Sequence, residues 1–353
     1  MSYKLGVIGY GNMGSWHCEN VKNRIKNLDV ALVYDIEKER RELAKENGFT
    51  TCETQEDFFS SDLDLVLVAT PNNFHKEHCV LAMKNGKNVI CEKPACLNLD
   101  ELEEAIAVSN KTGKLYTVHQ NRRFDCDYAI MKNIIKQNNL GKKFYLNSRL
   151  YGNRGFSNAR WKSLYETGGG LLYDWGIHMI DQVLTLLEGD EPVSVYAELH
   201  SVRMDKVDDV CRVTIEFESG LKAQVIADLW CYIGEARWHL ECSDGTAIID
   251  EWFNTKGKII RAKNQIIKWE EGCVYTPNGL STTMWPRASH DLEEVPLPIP
   301  EVMPRWEEYY ENALAVIEGK ATQIVTHEQI RKDMKVLMAA FESARTNSVV
   351  KLK

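Results

Sequence analysis

Leu5-Gly6-Val7-Ile8-Gly9-Tyr10-Gly11-Asn12-Met13-Gly14 is the stretch whose reading decides the fold. An apolar run of strand length ends in glycines spaced as G-x-G-x-x-G and passes directly into a helix-compatible segment. In that context the first glycine permits a tight turn, the second lets a pyrophosphate approach the backbone, and the third lets the helix pack closely on the strand. The phosphates would rest on the helix N-terminus, where unpaired N–H groups and the helix dipole favour an anion. Asn12 and Met13 therefore join Gly9, Gly11 and Gly14 as candidate cofactor contacts.

Outward from this turn, strand and helix signals alternate through residues 1–121. Leu5–Gly9, Val30–Tyr34, Leu63–Ala69, Asn88–Cys91 and Leu115–Val118 are short runs rich in Val, Ile and Leu, as strands buried on both faces are. Between them Glu37–Asn47, Phe74–Asn85 and Leu99–Lys111 carry helical periodicity, the last with Asn98 as N-cap and Gly113 as stop. The expected architecture is α/β: a doubly wound parallel sheet of Rossmann type. Asp35 closes the second run about 20 residues beyond Gly14, where a carboxylate can accept the ribose hydroxyls. Its charge would repel a 2′-phosphate, so NAD is expected over NADP. Arg40 and Arg41 keep NADP in view, although one turn down the helix is a poor position from which to clamp the phosphate.

Beyond Asn121 the pattern changes. A helix over Tyr128–Gln137 and a strand over Phe144–Tyr151 lead to a glycine-led helix. Past Pro192 come strands at Val193–Val202, Val210–Glu218, Leu221–Leu229, Trp238–Cys242 and Thr246–Glu251, with Gly220 and Asp244-Gly245 as tight connections. Residues 122–353 are thus expected to form an α+β domain with an open, largely antiparallel mixed sheet, serving substrate binding and oligomerisation. Glu271–Pro304 holds most of the prolines and reads as loops; Arg305–Glu318 and His327–Thr346 read as helices, the terminal one a candidate to pack back on the first domain.

A chain of 353 residues exceeds what one hydrophobic core usually supports, in keeping with two domains. Lys and Arg number 43 against 51 Asp and Glu, a net charge of -8 without a basic stripe, which argues against nucleic acid as a partner. No apolar segment approaches the ~20 residues needed to span a bilayer, and the N-terminus lacks the pattern of a signal peptide. The reading is a soluble, cytoplasmic protein with no membrane partner. Ten cysteines are scattered without a Cys-x-x-Cys pair, and His75, His78 and His119 do not combine with them at metal-ligand spacing, so no metal site is expected.

The chemistry is carried by Gly168-Gly169-Gly170 and the segment after it, with Asp174, Gly176, His178 and Asp181. Helix positions turn by about 100° each, so Asp174, His178 and Asp181 share one face of a regular helix, holding a carboxylate beside an imidazole. Thr70-Pro71-Asn72 and Glu92-Lys93-Pro94 lie at C-terminal ends of expected parallel strands, where open α/β sheets bind ligands.

Taken with Ala69-Thr-Pro-Asn72-x-x-His75 and Asn121-Arg122-Arg123-Phe124, these motifs resemble those of the glucose-fructose oxidoreductase, inositol dehydrogenase and rhizopine-catabolism (Gfo/Idh/MocA) family, over essentially the full length. The resemblance implies that Lys93, Asp174 and His178 meet at a substrate carbinol, and that a cis peptide before Pro94 aims Lys93 inward. It places Thr70, Pro71, Asn72, His75, Glu92 and Lys93 around the nicotinamide end of the cofactor. Asn121 and Arg122 join Lys93, Asp174 and His178 as candidate substrate contacts. Trp161 joins them from the loop Asn153–Trp161, which also carries Arg154 and Arg160.

Oxidising a secondary alcohol requires a base for the hydroxyl proton, stabilisation of alkoxide charge, and a fixed path for the hydride. His178 is the expected base, Lys93 the donor to the reacting oxygen, and Asp174 an orienting group or a partner for an adjacent hydroxyl. Glu92 reads as structural, bonding local backbone or the cofactor ribose, and Asp181 as a cap or supporting partner. The leading reading is an NAD(P)-dependent dehydrogenase of a sugar, cyclitol, glycoside or sugar derivative. The alternatives are an NAD-dependent glycoside-cleaving enzyme working by transient oxidation and elimination, and a non-catalytic dinucleotide-binding regulator. An antiparallel sheet with one uncovered face, and the resemblance, both point to a homodimer or homotetramer.

Overall fold

In the computed structural model, which describes residues 2–152, 160–263, 274–282 and 291–352, the apolar runs of the first third form a parallel sheet. β1 (Tyr3–Ile8), β2 (Leu28–Tyr34), β3 (Leu65–Val68), β4 (Asn88–Cys91) and β5 (Tyr116–Val118) lie in the order β2-β1-β3-β4-β5, every pairing parallel. The connecting helices are α1 (Asn12–Arg24), α2 (Lys38–Glu46), α3 (Gln55–Ser60), α4 (His75–Lys84) and α5 (Leu99–Thr112). Helices on both faces leave such strands no solvent side, which is why β3 reads Leu-Val-Leu-Val and is buried throughout. At α5 the Asn98 side chain accepts from Glu101 N at 2.9 Å, and Gly113 turns the chain out at φ 66°. Strand order reverses between β1 and β3, so their C-terminal ends open the crevice where a ligand is bound.

The second sheet is mixed. α6 (Cys126–Gln137) leads to β6 (Lys143–Tyr151), and a π-helical turn, Leu172–Gly176, runs into α7 (Ile177–Leu186). β7 (Pro192–His200), β8 (Val210–Phe217), β9 (Lys222–Asp228), β10 (Trp238–Cys242), β11 (Gly245–Ile249) and β12 (Gly257–Ala262) follow. After them come β13 (Val274–Thr276), β14 (Gly279–Thr282), β15 (Leu292–Val295), α8 (Glu307–Ile317), α9 (His327–Thr346) and β16 (Val350–Lys351). Nine strands take the order β15-β12-β11-β10-β6-β9-β8-β7-β16, with β6 and β9 parallel and the other neighbours antiparallel.

Two expectations fail in this half of the molecule. Glu271–Pro304 is not loop throughout: its described residues include the β13–β14 hairpin and β15, which pairs with β12 at the sheet edge. β12 itself lies outside the expected strands. Four residues, Leu292-Glu293-Glu294-Val295, are too few to display alternation, and their register is fixed by partners far away, such as Arg261, whose Nε lies 2.9 Å from Glu293.

One face of the mixed sheet is apolar and covered. Val213, Ile215, Ala223 and Val225 alternate inward, and the buried Met179, Ile180 and Val183 of α7 and Met334, Leu337 and Ala340 of α9 belong to the same core. Complete burial of each larger aliphatic side chain contributes about 1.5–3 kcal/mol. Tyr145, Thr214, Gln224 and His239 on the opposite face are only half-buried. α8 and α9 also reach the parallel sheet: Tyr309 Oη donates to Thr117 Oγ1 at 3.2 Å, and Arg331 pairs with Glu103 at 2.6 Å. Among the described residues no helix is long and apolar enough to cross a membrane.

Candidate active site

The glycine turn is built by close approach. A Cβ on Gly14 would lie 1.8 Å from Gly9 O, so α1 can seat against β1 only without one, and Gly9 turns at φ 93°. α1 starts after Gly11 with no side-chain cap, leaving its first N–H groups for a ligand. That cradle fits a pyrophosphate. Asp35, buried at the end of β2, accepts from Tyr10 N at 2.7 Å and Glu37 N at 2.9 Å. Arg41 turns away, donating to Asp35 O at 2.8 Å and pairing with Glu53 at 3.0 Å. Arg40, expected to be poorly placed to clamp a 2′-phosphate, folds back towards the glycine turn. Its Nη1 comes within 2.8 Å of where a Gly11 Cβ would stand, its Nε binds Glu37 at 2.5 Å, and it lines the cavity.

The cavity, of about 870 Å³, runs from this turn to the gap between the two sheets. Gly9, Gly11, Asn12, Met13, Asp35, Thr70, Pro71, Asn72, His75, Glu92, Lys93, Trp161 and Asp174 line it; Gly14, Asn121, Arg122 and His178 do not. Of the expected contacts that fall outside its wall, Arg122 stacks over Trp175 and Phe253 at 5.2 and 5.0 Å and bonds Asp125 at 3.3 Å, while Asn121 Oδ1 is buried without a partner. Arg154 and the Arg160 side chain lie outside the described residues.

At the chemical end, Lys93 follows β4 with a cis peptide to Pro94. Its Nζ lies 2.7 Å from both Asp174 Oδ1 and Asp174 O, and Lys162 Nζ lies 2.9 Å from Asp174 Oδ2. Burial would raise the Asp174 pKa, but the two ammonium groups outweigh it and hold the carboxyl well below the usual range. His178 Nδ1 meets Gln120 Oε1 at 3.1 Å, and Asp181 meets Arg123. The expected side-by-side carboxylate and imidazole are therefore separated in their bonding. Between them the backbone makes a π turn, in which Ile177 N–H bonds Leu172 O. Burial, then Lys93 and Arg122, push the His178 pKa well below that of free imidazole, keeping the ring neutral.

Both loops behind Lys93 are braced. Glu92 Oε1 lies 2.8 Å from His17 Nε2 and 2.9 Å from His119 Nδ1, while Oε2 accepts from Lys93 N at 3.2 Å. Burial opposes the Glu92 charge, but the two histidines outweigh it and lower its pKa. His119 is thus Glu92's partner rather than an ordinary strand residue. His17, Glu92 and His119 are as close as metal ligands, with ligand atoms within 4.8 Å, yet both histidines bond Glu92, and His17 Nδ1 takes the Tyr310 hydroxyl at 2.6 Å. His75 spans Pro94 O at 2.7 Å and Thr70 O at 2.9 Å, and Asn72 Nδ2 donates to Gly168 O at 2.8 Å, tying the parallel-sheet loops to the glycine loop.

Sequence reasoning missed Lys162, Gln120, Asp333 and the inward reach of Arg40. Lys162 and Gln120 adjoin motifs already singled out, Trp161 and Asn121. Asp333 had its own signal: a carboxylate among Ile330, Met334 and Leu337 on the apolar face of a helix.

A glycine turn on a parallel sheet and a lysine and aspartate at the far end of one cavity define a dinucleotide-dependent oxidoreductase architecture. Residues 3–120 match the oxidoreductase family with NAD-binding Rossmann fold, and residues 128–248 match the GFO/IDH/MocA C-terminal domain. The chain belongs to the Gfo/Idh/MocA oxidoreductase family. It is similar to an NAD-binding protein from Listeria innocua, 34% identical with a TM-score of 0.92 over 99% of both chains. Inositol 2-dehydrogenase of Salmonella typhimurium is 28% identical over 66% of this chain and 69% of that protein. The scyllo-inositol 2-dehydrogenase (NADP(+)) IolW of Bacillus subtilis is 25% identical over 99% of this chain and 96% of that one.

Proposed function

We propose that this protein is an NAD-dependent dehydrogenase of a secondary hydroxyl on a cyclitol, sugar or sugar derivative, or reduces the matching ketone. The observation that carries this is the junction of Lys93 and Asp174, 2.7 Å apart across the two sheets, at the end of the cavity that begins at the glycine turn. The names of two relatives, both inositol dehydrogenases, support a cyclitol-like substrate.

In this reading Lys93 donates to the reacting oxygen and stabilises its developing negative charge. Asp174, already held by Lys93 and Lys162, fixes the Lys93 ammonium and accepts from a neighbouring substrate hydroxyl. His178, kept neutral by its surroundings, takes the hydroxyl proton. Bound NAD supplies the hydride acceptor, so that the alcohol loses one proton and one hydride to become the ketone. Asp35 favours NAD because its carboxylate repels a 2′-phosphate. The half-buried outer face of the mixed sheet supports assembly as a homodimer or homotetramer.

The test is a panel of cyclitols, sugars, uronic acids and glycosides with NAD and with NADP, followed by the absorbance of reduced nicotinamide and by product mass. Reduced cofactor should form with at least one polyol, faster with NAD. Release of an aglycone without any reduced cofactor would sink the dehydrogenase reading and install redox-neutral glycoside cleavage in its place.

A further inference from the structure

Away from the cavity, behind His178, side chains from separate elements form one buried line of contacts. His178 Nδ1 lies 3.1 Å from Gln120 Oε1, and Gln120 Nε2 lies 3.4 Å from Asp333 Oδ2. Asp333 hydrogen-bonds Asp181, and Asp181 is gripped by Arg123 through Nε, at 2.9 and 3.1 Å, and through Nη2. Gln120, His178, Asp181 and Asp333 are each at most 5% exposed. Gln120 follows β5, Asp333 sits on α9, and Arg123 belongs to the short turn Asn121–Phe124.

Two buried carboxyl groups in hydrogen-bond contact cannot both be charged, so one keeps a proton. Burial and then Asp181 push the Asp333 pKa well above the ordinary range. Whichever carboxyl holds the shared proton, the Asp333 oxygen that faces Gln120 accepts, and Gln120 turns its NH₂ towards it. The Gln120 carbonyl then faces His178 and accepts from Nδ1–H. Nε2 is left with its lone pair.

We infer that Gln120 and Asp333, the latter held against Asp181, are positioning residues that fix the tautomer of His178, making Nε2 its proton-accepting atom. This rests on the reading of His178 as the base. The charged groups around the ring itself are Lys93, Arg122, Glu92 and Asp174. None of them is hydrogen-bonded to it, so the polarity of the ring is set through Gln120. Without the Asp333 acceptor the amide is free to reverse, so that Nε2 carries the proton, the wrong form for taking one from an alcohol.

Nitrogen-15 NMR of the histidine-labelled, cofactor-free protein, with the His178 signal assigned by its loss in His178→Gln, reads the tautomer without turnover. The expected result is a proton on Nδ1 in roughly tenfold excess, the bias that one hydrogen bond supplies. Asp333→Asn, whose amide donates to Asp181 and accepts from Gln120, should retain that excess, and Asp333→Ala should lose it. A proton on Nε2 in the wild type, or an unchanged tautomer in folded Asp333→Ala, overturns the inference. Should the variants fail to fold, the wild-type spectrum decides alone. The outcome stands apart from the proposed function, because a polyol panel without reduced cofactor would remove the reaction and leave the tautomer measured.

Discussion

Gly9, Gly11 and Gly14 act within a single turn, whereas Lys93, Asp174 and His178 are drawn from the end of β4, a π-helical turn and α7. The cofactor end of the cavity is therefore largely local. Gly14 answers to Gly9 O, Gly11 to the Arg40 side chain, Asp35 to the N–H groups of Tyr10 and Glu37, and only Gly9 to a more distant neighbour, the Ala69–Thr70 backbone after β3. The chemical end is composite. Lys93 is aimed by Glu92, which is held by His17 of α1, His119 beyond β5 and, through His17, Tyr310 of α8. A local site can be specified by spacing alone, whereas a composite one depends on how distant elements pack.

The sharpest break between the two ends should come from Lys93→Ala and His178→Ala. Each is expected to lower turnover about 10²- to 10⁴-fold while the dissociation constant for NAD, measured by calorimetry, changes little. Equal losses in turnover and NAD affinity would mean that the ends are not separable. In the wild type, the neutral His178 is the active form, and its pKa lies below the ordinary value. The acid limb of kcat/KM should accordingly fall below about pH 6.5, with activity lost as pH drops through that lowered value. A limb above neutrality would contradict the buried, neutral base.

Next in size is Gly14→Ala. The added Cβ meets Gly9 O at 1.8 Å, so about 1–3 kcal/mol of stability should be lost, together with NAD affinity, as read by denaturant unfolding and titration. Asp35→Ala should shift the NAD-to-NADP preference towards NADP by about 1 kcal/mol and, because it strands the N–H groups of Tyr10 and Glu37, also lower stability by about 1–3 kcal/mol. The smallest effect belongs to Arg331→Ala. Its ion pair with Glu103 lies at the surface, so unfolding should change by about 0.2–1 kcal/mol and turnover not at all.

Much of the parallel sheet was legible because buried strands and capped helices declare themselves residue by residue: Leu65–Val68 by its apolar run, α5 by Asn98 and Gly113. The cofactor end was legible for the same reason. The chemical end was legible only in its motifs. Nothing in Asp174-x-Gly176-x-His178 announces a π turn, since its hydrogen-bond register is settled by packing around Leu172 and Gly176. The reach of Arg40 was hidden because position along a helix says little about where a long side chain folds back. β12 and the edge strand β15 escaped because each is defined by its partners, β12 by β11 and β15, and β15 by β12 alone. Asp333 was readable as an oddity on an apolar helix face, but its partners, Gln120 and Asp181, become neighbours only once α9 lies across both sheets.

That last helix imposes an order in time. During synthesis the parallel sheet and its glycine turn emerge from the ribosome long before Tyr310 and Asp333, and N-terminal units generally fold first. A nascent chain would thus be able to hold its coenzyme while the braces behind Glu92 and His178 are still being translated, and reactivity would be acquired only with the final two helices.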